Sequence, residues 1–263
     1  MEDRRTVYLN PQYYLNQKTP SYLNFSPDPT FENNALGPLL ENLPAGALVL
    51  DLGCNVGVET RELEKAGMKV IPLDPNIMAL RLVNCRFPPW LTNPLARKIL
   101  SLLALNPQIA RFLGLNFLES SARRIQGDGF HLPLRENAVD ACIIKHVLTF
   151  GDNEERLQLL KEAFRVLKPG GRLVVYVEYM EYSCDLERIG PFEVFVPVAK
   201  TDEHDFSPYA VYALTPAELE WQLKAAGFEN IRIKVIRSTS DRFGAAENQL
   251  LAFARKRAKG EVS

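Results

Sequence analysis

The stretch ALVLDLGCNVGVETRELEKAGMKVIPLDP, residues 47–75, holds two apolar runs that each end on an acid, with two glycines and a polar helical segment between them. Ala47–Leu52 reads as a short buried strand whose end carries Asp51. Gly53 and Gly57 follow at once, and without a Cβ they let the backbone turn tightly and approach a ligand closely. Val58–Ala66 reads as a helix stopped at Gly67, and Lys69–Leu73 as a second strand ending on Asp74. Strand, tight turn, helix and strand in this order make the repeating unit of a parallel sheet.

The same alternation continues outward. Ile125–Asp128 and Ala141–Val147 read as two further strands. In NEERLQLLKEAFRVLKPGG, residues 153–171, Leu157, Leu160, Phe164 and Leu167 recur at helical spacing and predict one apolar face. Pro169-Gly170-Gly171 ends that helix, and RLVVYVE begins a fifth, buried strand. TPAELEWQLKAAGF predicts a helix with Thr215 as N-cap, Pro216 at its first position, Glu218 closing a capping box and Gly227 as its stop. Asn230–Arg237 and Leu250–Arg255 lie too close together for a crossover helix, so they predict an antiparallel hairpin at one edge. The fold class is α/β: a doubly wound, mostly parallel seven-stranded sheet with an antiparallel C-terminal hairpin.

One domain, residues 38–257, accounts for this pattern. Two long connections, 84–124 and 179–214, read as insertions near the ligand-binding side of the sheet. Residues 1–37 carry Tyr8, Tyr13, Tyr14 and Tyr22 among prolines and asparagines and cannot build a core of their own. They read as an arm laid over the domain, or as a lid whose tyrosines close on a ligand. Residues 258–263 form a short basic tail.

Composition removes several function classes. A formal net charge of -1 provides no general field for a polyanion, so a nucleic-acid partner is not expected. The 4 cysteines are scattered, none in a C-x-x-C pair, so no zinc or other metal site is predicted and a reducing cytoplasm is the default. The N-terminus, MEDRRTVYLNPQYY, lacks the apolar region of a secretory signal. The most apolar segment, Ile99–Leu118, is interrupted by Pro107 and Arg111, which favours a buried or interfacial helix pair over a membrane span. Nothing in the sequence decides the oligomeric state.

In a doubly wound sheet, ligands bind beyond the carboxyl ends of the strands, where the strand order reverses. Two cofactor classes compete for a loop of this kind. A nicotinamide dinucleotide asks for G-x-G-x-x-G and a helix N-terminus open to pyrophosphate. Gly53-Cys54-Asn55-Val56-Gly57 lacks the middle glycine, and Asp51 places negative charge where pyrophosphate would sit. A carboxylate there suits an ammonium or a sulfonium, and Asp74 can accept both hydroxyls of a ribose. Ribose plus positive charge without phosphate describes S-adenosylmethionine.

The motifs bear out a family likeness. VLDLGCNVG (49–57) resembles the D-x-G-x-G-x-G motif of the class I S-adenosylmethionine-dependent methyltransferases of small molecules, typified by those of quinone biosynthesis. IPLDPN (71–76) resembles the family's acidic second motif. GDGFHLPLRENAVDACIIKHVL (127–148) and EAFRVLKPGGRLVV (162–175) resemble its two later blocks. The likeness runs from about Leu43 to Arg255 in matching order. It implies that Asp51, Gly53, Cys54, Asn55 and Gly57 form the cofactor loop, and that Asp74 and Pro75 hold the ribose side. It further implies that Asp128 and Gly129 border the adenine, and that Lys145 and His146 lie near the methionine part or the methyl group. Asn55 departs from the family's glycine, although asparagine tolerates left-handed backbone better than most residues.

What such an enzyme does chemically is to align nucleophile, methyl and sulfur and to exclude water. A base is needed where the acceptor must lose a proton, and His146 is the candidate, which favours oxygen or carbon acceptors over nitrogen. A packed, cofactor-contacting role is the alternative for His146. His131 reads as structural, and His204 as a loop residue. Glu178 at the fifth strand's end is either an acceptor-orienting acid or a paired one. The aromatic set Tyr179, Tyr182, Phe192, Phe195, Phe206, Tyr209 and Tyr212 reads as a pocket for an apolar acceptor or the core of a cap. FPPW (87–90) only superficially resembles the N-P-P-Y motif of nucleic-acid amino methyltransferases, because it does not follow the fourth strand. Residues 95–118 read as a packed insert, a lid or a peripheral membrane contact. A non-catalytic cofactor-binding partner subunit is the competing reading for the whole chain, with Asn55 as its motive.

Overall fold

In the computed structural model, the described residues are 35–83, 124–179, 195–197, 210–212, 214–237, 248–258 and 260. The tyrosine-rich arm up to residue 34, the FPPW stretch, the apolar segment 95–118, His204 and most of the second insertion lie outside them.

The chain runs α1 (Gly37–Leu40), β1 (Leu48–Leu52), α2 (Val58–Lys65), β2 (Lys69–Asp74), α3 (Ile77–Leu82), β3 (Ile125–Gln126) and β4 (Val139–Lys145). After a 3-10 turn (Leu148–Phe150) come α4 (Asn153–Val166), β5 (Leu167–Tyr179), β6 (Phe195–Pro197), β7 (Ala210–Tyr212), α5 (Pro216–Ala225), β8 (Glu229–Arg237) and β9 (Asn248–Arg255). The main sheet has the order β3-β2-β1-β4-β5-β9-β8, and β6 pairs with β7 apart from it. β1 to β5 are parallel, whereas β9 runs antiparallel to both β5 and β8. The strand order reverses between β1 and β4, so the two strand ends that flank the reversal are Leu52 and Lys145.

Both faces of the sheet are buried. Leu50, Leu52, Cys142, Ile144, Leu173 and Val175 join α4 and α5 in one core. Val49, Ala141, Ile143, Val174 and Tyr176 meet Leu36, Leu39 and Leu63 in the other. Double burial is why β1, β4 and β5 read as nearly unbroken apolar runs rather than as alternation. The hairpin follows the same logic. β9 is apolar on both faces and sits inside, with Leu250 and Leu251 fully buried, while β8 alternates isoleucines with Arg232 and Lys234 and forms the edge. Charged residues on an edge strand discourage pairing with another chain.

Helix α5 starts as read, with Glu218 N–H donating to Thr215 Oγ1 and the Glu218 carboxylate accepting from Thr215 N at 2.7 Å. Helix α4 differs from its reading. Asp152, not part of the quoted stretch, caps it through a reciprocal bond with Glu155. The buried stripe is Arg156, Leu159, Leu160, Ala163 and Val166, with Leu157 and Phe164 at its margin. A hydropathy pattern places arginine outside, yet Arg156 is buried because its Nε donates to the Leu148 carbonyl at 2.9 Å. Phe164 instead meets Phe228 edge to face, with centroids 5.2 Å apart. Leu167 has left the helix and opens β5.

Lys256 closes the far end of α4. Its Nζ donates to the carbonyls of Phe164 and Leu167 at 2.8 Å each and to Asn137 Oδ1 at 2.9 Å, and it lies 4.6 Å from the Phe164 ring centroid. Partial burial draws the ammonium below its usual range, so this contact carries a desolvation cost as well as a gain. Lys256→Met should lower unfolding stability by about 2 kcal/mol, the value of hydrogen bonds to a charged donor net of desolvation. A urea titration reads this as a lower midpoint at unchanged slope; an unmoved midpoint would show the contact to be energetically idle.

Candidate functional site

The site is assembled where β1, β2 and β4 end. After Leu52 the chain bends back so that the N–H groups of Gly53 and Cys54 both donate to the Leu73 carbonyl, at 2.8 and 3.0 Å. One turn further on, Asn55 N–H donates to Asp74 Oδ2 at 2.9 Å, and Asn76 N–H donates to Asp74 Oδ1 at 2.8 Å. The end of β2 thus anchors the loop that leaves β1.

The loop is left-handed at three places: Gly53 (φ 74°), Asn55 (φ 48°) and Gly57 (φ 71°). At Gly53 a Cβ would stand 2.3 Å from Val147 Cγ2, and at Gly57 it would stand 2.7 Å from Val83 Cγ1. Packing and backbone therefore both demand glycine there. Asn55 takes the third left-handed position with its side chain in place, which asparagine tolerates.

Asp51 lies beneath this loop, 2% exposed, and its Oδ2 accepts from Thr60 Oγ1 at 2.5 Å. Burial, with Glu59 next in weight, raises its pKa from 3.8 to about 7, and the Thr60 hydroxyl and Lys145 work in the opposite direction. Its effect on anything above the loop is exerted through charge rather than by contact.

Two partners were missed in the sequence. Glu59 and Thr60 belong to the first turn of α2, where side chains that face the sheet come beside the acid closing β1. Lys145, the last residue of β4, donates to Glu59 Oε1 at 2.6 Å, with side chains only 16% and 11% exposed. Its Nζ also lies 6.0 Å from the Tyr176 ring centroid. A Glu two residues after a glycine loop, with a Lys ending the strand beside it, was the available signal.

His146 follows with φ 57°, left-handed and therefore strained for a residue with a side chain. Its N–H donates to the Tyr176 carbonyl at 2.7 Å, and its ring meets the Tyr176 ring edge on at 5.3 Å. Thr149 Oγ1 donates to the His146 carbonyl at 3.0 Å, and buried Arg156 holds the next carbonyl but one. The turn beyond β4 is braced from behind.

β3 is shorter than read, ending at Gln126, so Asp128 and Gly129 stand on the loop beyond it. Asp128 Oδ1 accepts from Phe130 N–H at 2.9 Å. Gly129 abuts the core, where a Cβ would come 3.1 Å from Leu159 Cδ1. Glu162 accepts from Leu132 N–H, and Arg165 donates to the carbonyls of Leu132 and Leu134, which pins this loop to α4. His131 is exposed. Pro75 links Asp74 to Asn76 at the anchored turn, and its carbonyl accepts from Gln126 Nε2 at 3.3 Å. Asp51, the 53–57 loop, Asp74, Pro75, Lys145 and His146 thus converge at the strand-order reversal, with Asp128 and Gly129 on the adjoining loop after β3.

The donor set fits a nucleoside that bears positive charge. A carboxylate oxygen can accept two hydrogen bonds, so Asp74 can serve both the loop and a pair of ribose hydroxyls. Asp51, Glu59 and Asp74 face Lys145 and Arg61, the latter donating to the Val56 carbonyl at 2.9 Å, so the loop offers no excess of positive charge to draw pyrophosphate.

Residues 50–175 match the family described as a methyltransferase domain. A demethylmenaquinone methyltransferase of Corynebacterium kroppenstedtii is 30% identical over 49% of this chain and 41% of its own length. A probable tRNA methyltransferase 9B of Mus musculus is 29% identical over 60% of this chain and 27% of its own. The chain thus spans less than half the length of these two curated relatives. A solved S-adenosylmethionine-dependent methyltransferase of Methanosarcina mazei has a TM-score of 0.59 at 21% identity, covering 84% of this chain and 98% of the other, which shows the shared fold.

The raised Asp51 value has a pH consequence. Its folded pKa lies above the unfolded one, so the proton supports the fold: that support is complete below about pH 3.8 and is lost as pH climbs to about 7. Asp51→Asn, which imitates the protonated acid, should therefore gain stability relative to the unaltered chain as pH rises from 4 to 8. Urea midpoints of both proteins across that range measure it, and a constant gap between them would refute the reading.

Proposed function

We propose that the chain, whose residues 50–175 match a methyltransferase domain, is a class I S-adenosylmethionine-dependent enzyme that transfers the methyl group to a small, apolar or aromatic acceptor, at oxygen or carbon rather than nitrogen. The observation that carries this reading is the loop between β1 and α2. It is anchored on Asp74, ringed by buried acids and lacks a pyrophosphate cradle. Asp51, Gly53, Cys54, Asn55 and Gly57 hold the methionine end and the ribose, Asp74 and Pro75 take the ribose hydroxyls, and Asp128 with Gly129 borders the adenine.

S-adenosylmethionine supplies a carbon already activated for displacement. The chain's own residues then have three tasks: to orient the acceptor, to exclude water and to take a proton where the acceptor must lose one. His146 takes that proton, being held at the end of β4 in a single left-handed conformation. Among the described residues no helix is long and apolar enough to cross a membrane, and the free thiols Cys54 and Cys142 suit a reducing cytoplasm.

The relative from mouse is named for tRNA, so the acceptor class is the point to test. Cell extract incubated with the protein and methyl-labelled S-adenosylmethionine should yield label in the organic-extractable small-molecule fraction; label confined to RNA would overturn the acceptor assignment. Isothermal titration should detect S-adenosylmethionine binding, weakened about tenfold to a hundredfold in Asp74→Ala, as for loss of charge-assisted hydrogen bonds. Absence of binding to the unaltered chain would remove the enzyme reading. His146→Ala should keep cofactor affinity while incorporation drops about a hundredfold; unchanged turnover would leave His146 a packing residue.

A further inference from the structure

Lys145 poses an electrostatic problem for this reading. It ends β4 one register step beyond the Leu52–Ile144 pair, level with Gly53. The neighbouring residue Val147 presses against Gly53 itself. A mostly buried ammonium therefore stands beside the loop that is assigned to a ligand with a positively charged sulfur. Two cations in a poorly solvated site repel each other strongly. Glu59, in the first turn of α2, receives the Lys145 ammonium at 2.6 Å, and both side chains are shielded from water.

We infer that Glu59 is a specificity-determining residue, which by neutralising Lys145 lets the site accept a sulfonium and prefer the charged methyl donor over its neutral thioether product. The inference rests on the proposed use of S-adenosylmethionine and goes further, since it says which residue discriminates donor from product. Thr60 and Asp51 form a separate pair, with the hydroxyl committed to Asp51. The Lys145 ammonium donates instead to Glu59 Oε1 at 2.6 Å, while Asp51 acts on it only through charge. Breaking a shielded ion pair from one side leaves the other charge uncompensated, and this costs more than replacing both partners together.

The two ligands differ only by the methyl group and its charge, which makes the test specific. Isothermal titration at pH 8.5, above the value of about 7 for Asp51 in the unaltered chain, compares S-adenosylmethionine and S-adenosylhomocysteine on the unaltered chain, Glu59→Gln, Lys145→Met and the double variant. Glu59→Gln should weaken S-adenosylmethionine about tenfold or more and S-adenosylhomocysteine less than about threefold. The double variant should restore the ratio of the two affinities to within about threefold of the original, because no uncompensated cation remains. Equal weakening of both ligands by Glu59→Gln would make the pair merely structural and overturn the inference, as would a double variant that fails to restore the ratio. Circular dichroism and the urea midpoint of each variant separate these outcomes from misfolding. Failure of the unaltered chain to bind either ligand would instead strike at the cofactor assignment.

Discussion

Two carbonyl and carboxylate acceptors at the end of β2 hold the β1 loop in place, and the rest of the site depends on that tether. Leu73 receives the N–H groups of Gly53 and Cys54, and Asp74 receives that of Asn55. A loop with three left-handed residues has no helix or sheet ladder to satisfy its donors, so without these partners its backbone would carry buried, unpaired groups. The acid at the end of β2 is thereby architectural: at 1% exposure its two oxygens accept from the N–H groups of Asn55 and Asn76 and set the loop's shape.

Charge is layered below and beside that loop. Asp51 is sunk beneath it, tied to Thr60. Glu59 and Lys145 close the flank facing β4. Burial, with the nearby Glu59 charge, makes Asp51 reluctant to ionise, which is the cause of its elevated value. The Lys145 charge at the strand end is met by Glu59, and the Arg61 guanidinium donates to the Val56 carbonyl on the loop. The turn beyond β4 is set independently, by Arg156 and Thr149 from behind and by Tyr176 from the neighbouring strand.

Much of this was legible in the residues. Apolar runs ended by acids, the Gly53 and Gly57 spacing, the Thr215 cap and the paired strands at the C-terminus each reflect local chemistry that a sequence displays directly. Doubly buried strands such as β1 and β4 announce themselves by continuous hydrophobicity. Arg156 shows where such reading stops. Its charge places it outside by any pattern of hydropathy, and only the position of the Leu148 carbonyl, eight residues earlier in sequence, explains its burial. The order of the final hairpin strands is of the same kind. β9 lies inside β8 because the apolar strand fills the gap next to β5, and that gap exists only once the sheet is assembled.

The sequence by itself determined the alternation of strands and helices, the acid-glycine loop and the kind of ligand such a loop accepts, because these depend on neighbours within a few residues. The tertiary structure decided that Asp51 and Asp74 are both buried, that Glu59 rather than Asp51 receives Lys145, and that His146 adopts a left-handed backbone against Tyr176. Lys145 and Glu59 are 86 positions apart. Contacts between residues so distant in the chain are fixed by strand register and helix placement, which no local pattern encodes.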